Sequence, residues 1–248
     1  MNAGGSIVLD GVSKTFHRHT GKLLLRKHLA ALFRRRQTAP FYALKNVSFR
    51  IEPGESVALI GSNGAGKSTL LSIIAGVAVP ETGRVCVEGH VGALLQLGAG
   101  FHPDLTGFEN LRLNAALLGM SARRTNELFD SIIEFAEIGD FIGEPLRTYS
   151  SGMTMRLAFA VAVHMDPDIL LVDEILAVGD HAFQLKCRAK IDELRARGKT
   201  LLCVSHGSVA DFCKRAIWLK HGEVVMDGPA AEVTDAYQGK TAAARTAV

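Results

Sequence analysis

The sequence predicts an α/β protein with a parallel-rich sheet and an inserted helical lobe. Three observations predict it. Short apolar runs at Ser56–Ile60, 169–172 and 200–205 alternate with helical patterns, the order that builds a parallel sheet covered on both faces. A glycine-rich segment joins the first of these runs to a helical pattern. Residues 105–165 have helical spacing and little strand character, so they form a lobe inserted into that core.

The elements follow in order. Residues 7–12 and 47–51 alternate or run apolar, as strands do. Ser56–Ile60 is a continuous apolar run that meets Gly61, and reads as a buried strand. Leu70, Leu71, Ile74 and Ala75 then fall at helical spacing, with Gly76 as a stop. Two short strands are expected at 84–87 and 91–95. Helices are expected at 105–118 and 121–136, the second capped by Ser121. Residues 139–148 read as a loop and 152–165 as a helix, broken by Asp166-Pro167-Asp168. A strand at 169–172, a helix at 182–197 and a strand at 200–205 come next. Strands at 216–219 and 223–226 flank Lys220-His221-Gly222, a hairpin turn signal. A helix at 231–237 closes the fold. One domain is expected over residues 1–240, with an insertion at 17–40, a helical subdomain at about 97–165 and a loose tail at 241–248.

Composition narrows the class. The chain has 248 residues, 48% hydrophobic and 21% charged, enough to bury a core. No apolar run reaches the length of a membrane-spanning helix. The first residues lack a basic start followed by an apolar stretch, so no secretory signal is expected. Cys86, Cys187, Cys203 and Cys213 form no CxxC pair, which argues against a zinc site and for four reduced thiols. Lys and Arg number 28 against 25 Asp and Glu, a formal charge of +3. Segment 17–40 holds seven of the bases and no acid; without it the balance is 21 against 25, or −4. A nucleic-acid-binding domain usually spreads its basic residues over a face, so this distribution speaks against that class.

Two motifs carry chemistry. Gly61, Ser62, Asn63, Gly64, Ala65, Gly66, Lys67, Ser68 and Thr69 match GxxxxGK[ST] between a strand and a helix. Glycines let successive N–H groups face one anion, Lys67 can reach β- and γ-phosphates, and the Ser68 hydroxyl can ligate Mg²⁺. The alternative is a glycine-rich structural turn. Downstream, an apolar strand ends in Asp173 and Glu174. On a parallel strand adjacent to the cradle, Asp173 would lie beside Mg²⁺, and Glu174 could polarise a water for in-line attack. The alternative is an acid pair facing solvent.

Tyr149-Ser-Ser-Gly-Met153 lies just ahead of this strand and opens a helix. Together with the cradle and the acid pair, it resembles the signature segment of ATP-binding-cassette (ABC) ATPases, over nearly the whole chain. The resemblance implies roles for further residues. Gln96 would touch Mg²⁺ or the water beside a membrane partner. His206 would contact the γ-phosphate, and Asp180 would lie beyond the catalytic glutamate. It also implies a shared site, in which one chain presents cradle and metal ligands and a second presents Ser150, Ser151 and Gly152 at a helix N-terminus. A homodimer is expected, ATP being held between two copies. Adenine needs an aromatic face; Tyr42 is the choice, with Phe16 and Phe41 as rivals.

The sequence departs from the family pattern. The common signature is LSGGQ, where this chain has YSSGM; the small antiparallel β lobe that the resemblance implies looks trimmed, with only 29 positions separating Lys67 from Gln96. With the 97–107 run, Glu109-Asn110 and the 173–180 segment, these departures are similar to the ATPase subunits that export O-antigen, capsule and teichoic-acid-like polymers. That resemblance implies a peripheral ATPase at the cytoplasmic face of the cell membrane, driving a separate permease. Some members carry a further C-terminal sugar-binding β-sandwich. This chain is expected to lack one, which places glycan choice elsewhere.

Leu25, Leu29, Leu32 and Phe33 fall at i, i+4, i+7 and i+8, flanked by Arg26, Lys27, Arg34, Arg35 and Arg36. The arm reads either as a helix at the lipid headgroups or the permease entrance, or as a solvated insertion. It has no interleaved aromatic platform for nucleic acid. Two other classes of ABC protein fit less well. Soluble ABC proteins usually join two cores or insert a coiled coil, and this chain shows neither. A regulatory module without turnover fits poorly with Lys67, Asp173, Glu174 and His206 all present.

Overall fold

The structure, a computed structural model, describes residues 4–16, 41–94, 97–173, 179–204 and 213–246; Asp173 and residues 240–246 are described by their backbone. Gln96, Glu174, His206 and the basic arm at 17–40 lie outside the described residues. Nine strands are described: β1 (Ser6–Phe16), β2 (Phe41–Ile51), β3 (Ser56–Ile60), β4 (Thr82–Glu88), β5 (Val91–Ala93), β6 (Ile169–Asp173), β7 (Thr200–Val204), β8 (Arg215–Lys220) and β9 (Glu223–Pro229). The described α-helices are α1 (Lys67–Ile74), α2 (Gly107–Leu117), α3 (Ala122–Ala136), α4 (Ser151–His164), α5 (His181–Ala196) and α6 (Ala230–Thr246).

A six-stranded sheet runs in the order β5-β6-β7-β3-β8-β9, parallel except for β9. A three-stranded antiparallel sheet, β2-β1-β4, forms the second lobe. The α/β expectation therefore holds, with one correction. The acid-bearing strand β6 is not adjacent to β3; β7 lies between them. At about 4.8 Å per strand, Asp173 starts roughly 10 Å to the side of the cradle strand. The strands beside the cradle are β8 on one edge and, on the other, β7, whose last residue, Val204, pairs with Leu59.

Side-chain alternation explains why both faces are covered. On β6, Ile169 and Leu171 join the cluster that includes Ile7, Leu44 and Leu70, under α1 and the antiparallel sheet. Leu170 and Val172 face the other way, into Phe159, Phe183 and Ile191 of α4 and α5. A period of two with both faces apolar is a strand buried on both sides. A third cluster, around Leu111, Ile132 and Leu157, makes the helical lobe self-supporting.

Most boundaries follow local chemistry. Ser121 caps α3 as expected, its Oγ accepting from the Arg124 N–H at 3.3 Å. Residues 139–148 are not featureless: two 3₁₀ turns, Gly139–Phe141 and Leu146–Thr148, shape them. The closing helix α6 runs to Thr246, where a loose tail was expected from 241. Its alanines and lack of Pro beyond Ala230 let the helix continue. The antiparallel lobe has two strands of 11 residues and one of 7. The second begins at Phe41 rather than 47, because pairing with β1 extends it.

Candidate functional site

The cradle is built where β3 runs into α1. Gly66 is the N-cap of α1, in a left-handed conformation with φ 108° and no side chain to accept from the helix. Any Cβ there would collide with the Ala43 carbonyl. The other described starts differ. Thr106 caps α2, Ser121 α3, Ser150 α4 and Asp180 α5, each through its side chain. Only at α1 among these are the first N–H groups left without a side-chain acceptor, and no acid sits in that turn. A helix start of this kind favours an anion.

Lys67 is buried, 7% exposed, and its ammonium donates to the Gly61 carbonyl at 2.6 Å and the Ser62 carbonyl at 3.1 Å. The side chain thus curls back over the loop it follows. Ser68 is exposed one residue further on. An uncapped helix start, a lysine over the loop and an exposed hydroxyl in the first turn fit a magnesium-bound triphosphate.

The β8–β9 turn closes one wall. Gly222, at φ 81°, donates its N–H to the Ala65 carbonyl at 2.9 Å and accepts from the Lys45 N–H at 2.8 Å. A Cβ at Gly222 would sit 2.8 Å from the Ala43 carbonyl. The turn therefore splints the cradle to β2, and the Lys45–Glu223 ion pair at 2.6 Å reinforces it. Lys220-His221-Gly222 signals a hairpin turn in the sequence, but no local signal marks its contact with the cradle. Tyr42 is half exposed, one residue before Ala43, which packs over Gly66. Phe41 and Phe16 are cross-strand partners beside it, also exposed.

The signature residues sit on the helical lobe. Ser150 Oγ accepts from the Met153 N–H at 3.1 Å and so caps α4. Ser151 is exposed, and a side chain at Gly152 would meet only Ser150. Helix α4 packs on α2, α3, α5 and β5. Two of the three departures from the common signature face inward, because Tyr149 and Met153 pack on the helical-lobe core; the third, Ser151, faces out. The Tyr149 hydroxyl donates to the Phe141 carbonyl at 2.6 Å and lies against the bare Cα of Gly107.

The motif run after Gln96 also has a structural cause. Asn110 is fully buried; its amide donates to the His102, Leu105 and Thr106 carbonyls, and its oxygen accepts from the His102 N–H. Asn114 donates to the Ala99 carbonyl at 3.0 Å. Thr106 and Glu109 form a reciprocal capping box. Together they fasten loop 97–106 to α2.

Asp180 is engaged within its own chain. One oxygen accepts from the Phe183 N–H at 2.9 Å and the other pairs with Arg156 at 2.9 Å. The Phe183 N–H, and then the nearby guanidinium, hold its carboxyl below the usual range. Arg156 also pairs with Glu137 at 2.9 Å and lies over the Phe183 ring. Nothing local in the sequence marks Arg156, since its partners are 19 and 24 residues away. Gln96, Glu174 and His206, and the side chain of Asp173, lie outside what the structure describes; the backbone brings the ends of β3, β6 and β7 to one sheet edge.

The model of the family described as "ABC transporter" matches residues 44–177. The chain is 51% identical to the teichoic acids export ATP-binding protein TagH of Listeria monocytogenes over 199 residues, 79% of this chain and 59% of that protein. It is 48% identical to the O-antigen export system ATP-binding protein RfbB of Klebsiella pneumoniae, covering 80% of this chain and 81% of that one. Among solved structures it resembles the dimeric, post-hydrolysis ATP-binding cassette MJ0796 bound to ADP and Pi. That match has TM-score 0.70 and 28% identity over 90% of this chain and 98% of the other. The family match spans cradle, signature helix and acid-bearing strand, and the fold agrees, so the chain belongs to the ABC transporter family as an ATP-binding-cassette ATPase.

Proposed function

We propose that this chain is the ATP-hydrolysing subunit of an exporter of a lipid-linked polysaccharide, acting as a dimer on a separate membrane permease. One observation carries the ATP part: α1 starts without a side-chain cap beneath a buried Lys67, while α2, α3, α4 and α5 are each capped by a side-chain acceptor. The polysaccharide part rests on the relatives named for teichoic acid and O-antigen export.

The roles follow. Backbone N–H groups of residues 61–69 bind the phosphates, and Lys67 turns from the Gly61 carbonyl to the β- and γ-phosphates. Ser68, Asp173 and Gln96 would hold Mg²⁺, which when bound offsets charge on the phosphate oxygens. Glu174 orients the attacking water, and His206 steadies the γ-phosphate. Tyr42 stacks on adenine. Ser150, Ser151 and Gly152 of the second copy cover the γ-phosphate, with Asp180 at the seam between copies. Hydrolysis removes the contact that holds the two copies together.

No described helix is long and apolar enough to cross a membrane. The proposed contact with the bilayer is peripheral, through the permease and the basic arm at 17–40. A groove beside loop 97–100 supports the permease contact. It is floored by Gly98, Ala99, Ala158 and Ala162 and walled by exposed Leu117, an apolar slot open to a helix from outside.

The test is ATP turnover and dimerisation of wild type and Glu174→Gln. The variant should lose at least about 100-fold in turnover, the scale of a lost general base, yet elute as a dimer in ATP and a monomer in ADP. Full activity in the variant, or hydrolysis by a strictly monomeric chain, would sink the reading. Coexpression with the permease, with surface polymer measured, tests the cargo.

A further inference from the structure

Two thiols stand outside the nucleotide machinery. Cys203 is on β7, one residue before its end, and Cys213 lies two residues before β8. Their sulfurs are 3.2 Å apart, and both are free thiols. Cys213 is buried at 2% exposure, and Cys203 is only partly covered. The strands hold this approach from both sides. Cys203 pairs with Ala58 of β3, and Ala58 pairs on its other edge with Ala216. A disulfide needs its sulfurs at about 2.05 Å, so closure brings them together by roughly 1 Å.

The chain between the two cysteines is residues 204–212, and it includes His206. We propose that Cys203 and Cys213 are a redox modification site, forming a reversible intrachain disulfide that closes a covalent ring around His206 and slows ATP turnover. The bond itself depends only on the thiol geometry. Its effect on turnover rests on the role proposed above for His206.

The chemistry balances with a peroxide as oxidant. The partly exposed Cys203 is the first to react. The Cys213 S–H bonded to it holds the Cys203 thiol below its usual range, while that bond and burial push Cys213 up. The Cys203 thiolate attacks one peroxide oxygen, the O–O bond breaks, and the other oxygen leaves as water with the Cys203 proton. The Cys213 sulfur then attacks the sulfenic sulfur. The S–S bond forms, the S–O bond breaks, and the hydroxyl leaves as a second water with the Cys213 proton. Two electrons pass from the thiols to the peroxide. A dithiol reductant reverses the bond by exchange.

The test uses the full chain carrying Cys86→Ser, which removes the exposed thiol and with it cross-linking between chains. Hydrogen peroxide under native conditions should lower the titratable thiols from three to one per chain. Peptide mass mapping should find Cys203 joined to Cys213, and dithiothreitol should restore both thiols. ATP turnover should fall several-fold on oxidation and recover on reduction. Cys203→Ser, and independently Cys213→Ala, should keep turnover under peroxide. Retention of all three thiols, a bond to Cys187, or overoxidation of Cys203 without linkage would overturn the site. A linked pair with unchanged turnover would overturn its coupling to His206. A reduced protein that never hydrolyses ATP would indict the ATPase reading instead, while thiol counting still decides the bond.

Discussion

At the residue scale, two of the three departures from the common signature, Tyr149 and Met153, are answers to packing. Tyr149 reaches back to the Phe141 carbonyl and needs the bare Cα of Gly107, so the two residues are a matched pair. Gly107→Ala should therefore destabilise the helical lobe by about 2 kcal/mol through overpacking. Tyr149→Phe removes the hydroxyl that blocks the new methyl. Urea unfolding of both single variants and the double variant should show a coupling of about 1 kcal/mol in favour of the double. Strictly additive losses would refute the pairing. The cradle lysine and glycines were legible because their chemistry is local to nine consecutive residues. Gly107 and Gly222 were not, because their constraints come from residues 42 and 179 positions away in the chain.

At the scale of elements, caps and breaks carry the weight. Ser150 serves α4 before any partner arrives, since its hydroxyl already accepts from Met153. Ser150→Ala should lower the stability of the nucleotide-free chain by about 1 kcal/mol. In a protein of this size that is roughly 2–4 °C in melting temperature. It should also weaken ATP-driven dimerisation, which the Thr106→Ala cap variant should spare. The break after α4 holds a second lever. Asp168 accepts from the His90 N–H at 2.9 Å, which is the main cause holding its carboxyl below 3.8; Lys199 adds to it. Its folded value lies under its unfolded one, so its contribution is complete above about pH 4 and fades as pH falls through the folded value. Asp168→Asn should flatten the acid limb of a urea-midpoint profile below about pH 5 and leave the shape above that unchanged. An identical acid limb would refute the linkage. Strands and helices were readable from period and caps. The order β6-β7-β3 was not, because strand periodicity says which faces are apolar but nothing about which edges meet.

For the whole molecule, the question is how the helical lobe is tied to the sheet. Arg156 on α4 bridges Glu137 at the end of α3 and Asp180 at the start of α5, and lies over Phe183. Both carboxylates are at least half exposed, so solvent discounts the ion pairs. Arg156→Ala should cost about 1 kcal/mol in global stability, with a larger effect on hydrogen exchange at the start of α5. Unchanged exchange there would show that the lobe is held by packing alone. The opposite end of the molecule behaves differently. Gly222 bonds the cradle on one side and β2 on the other, so loop, hairpin and antiparallel sheet form a prefabricated jig. A guest entering such a jig finds its seat already shaped and gives up little freedom of the host. The tempo of the cycle is then set less by moulding a pocket than by the meeting and parting of two whole molecules.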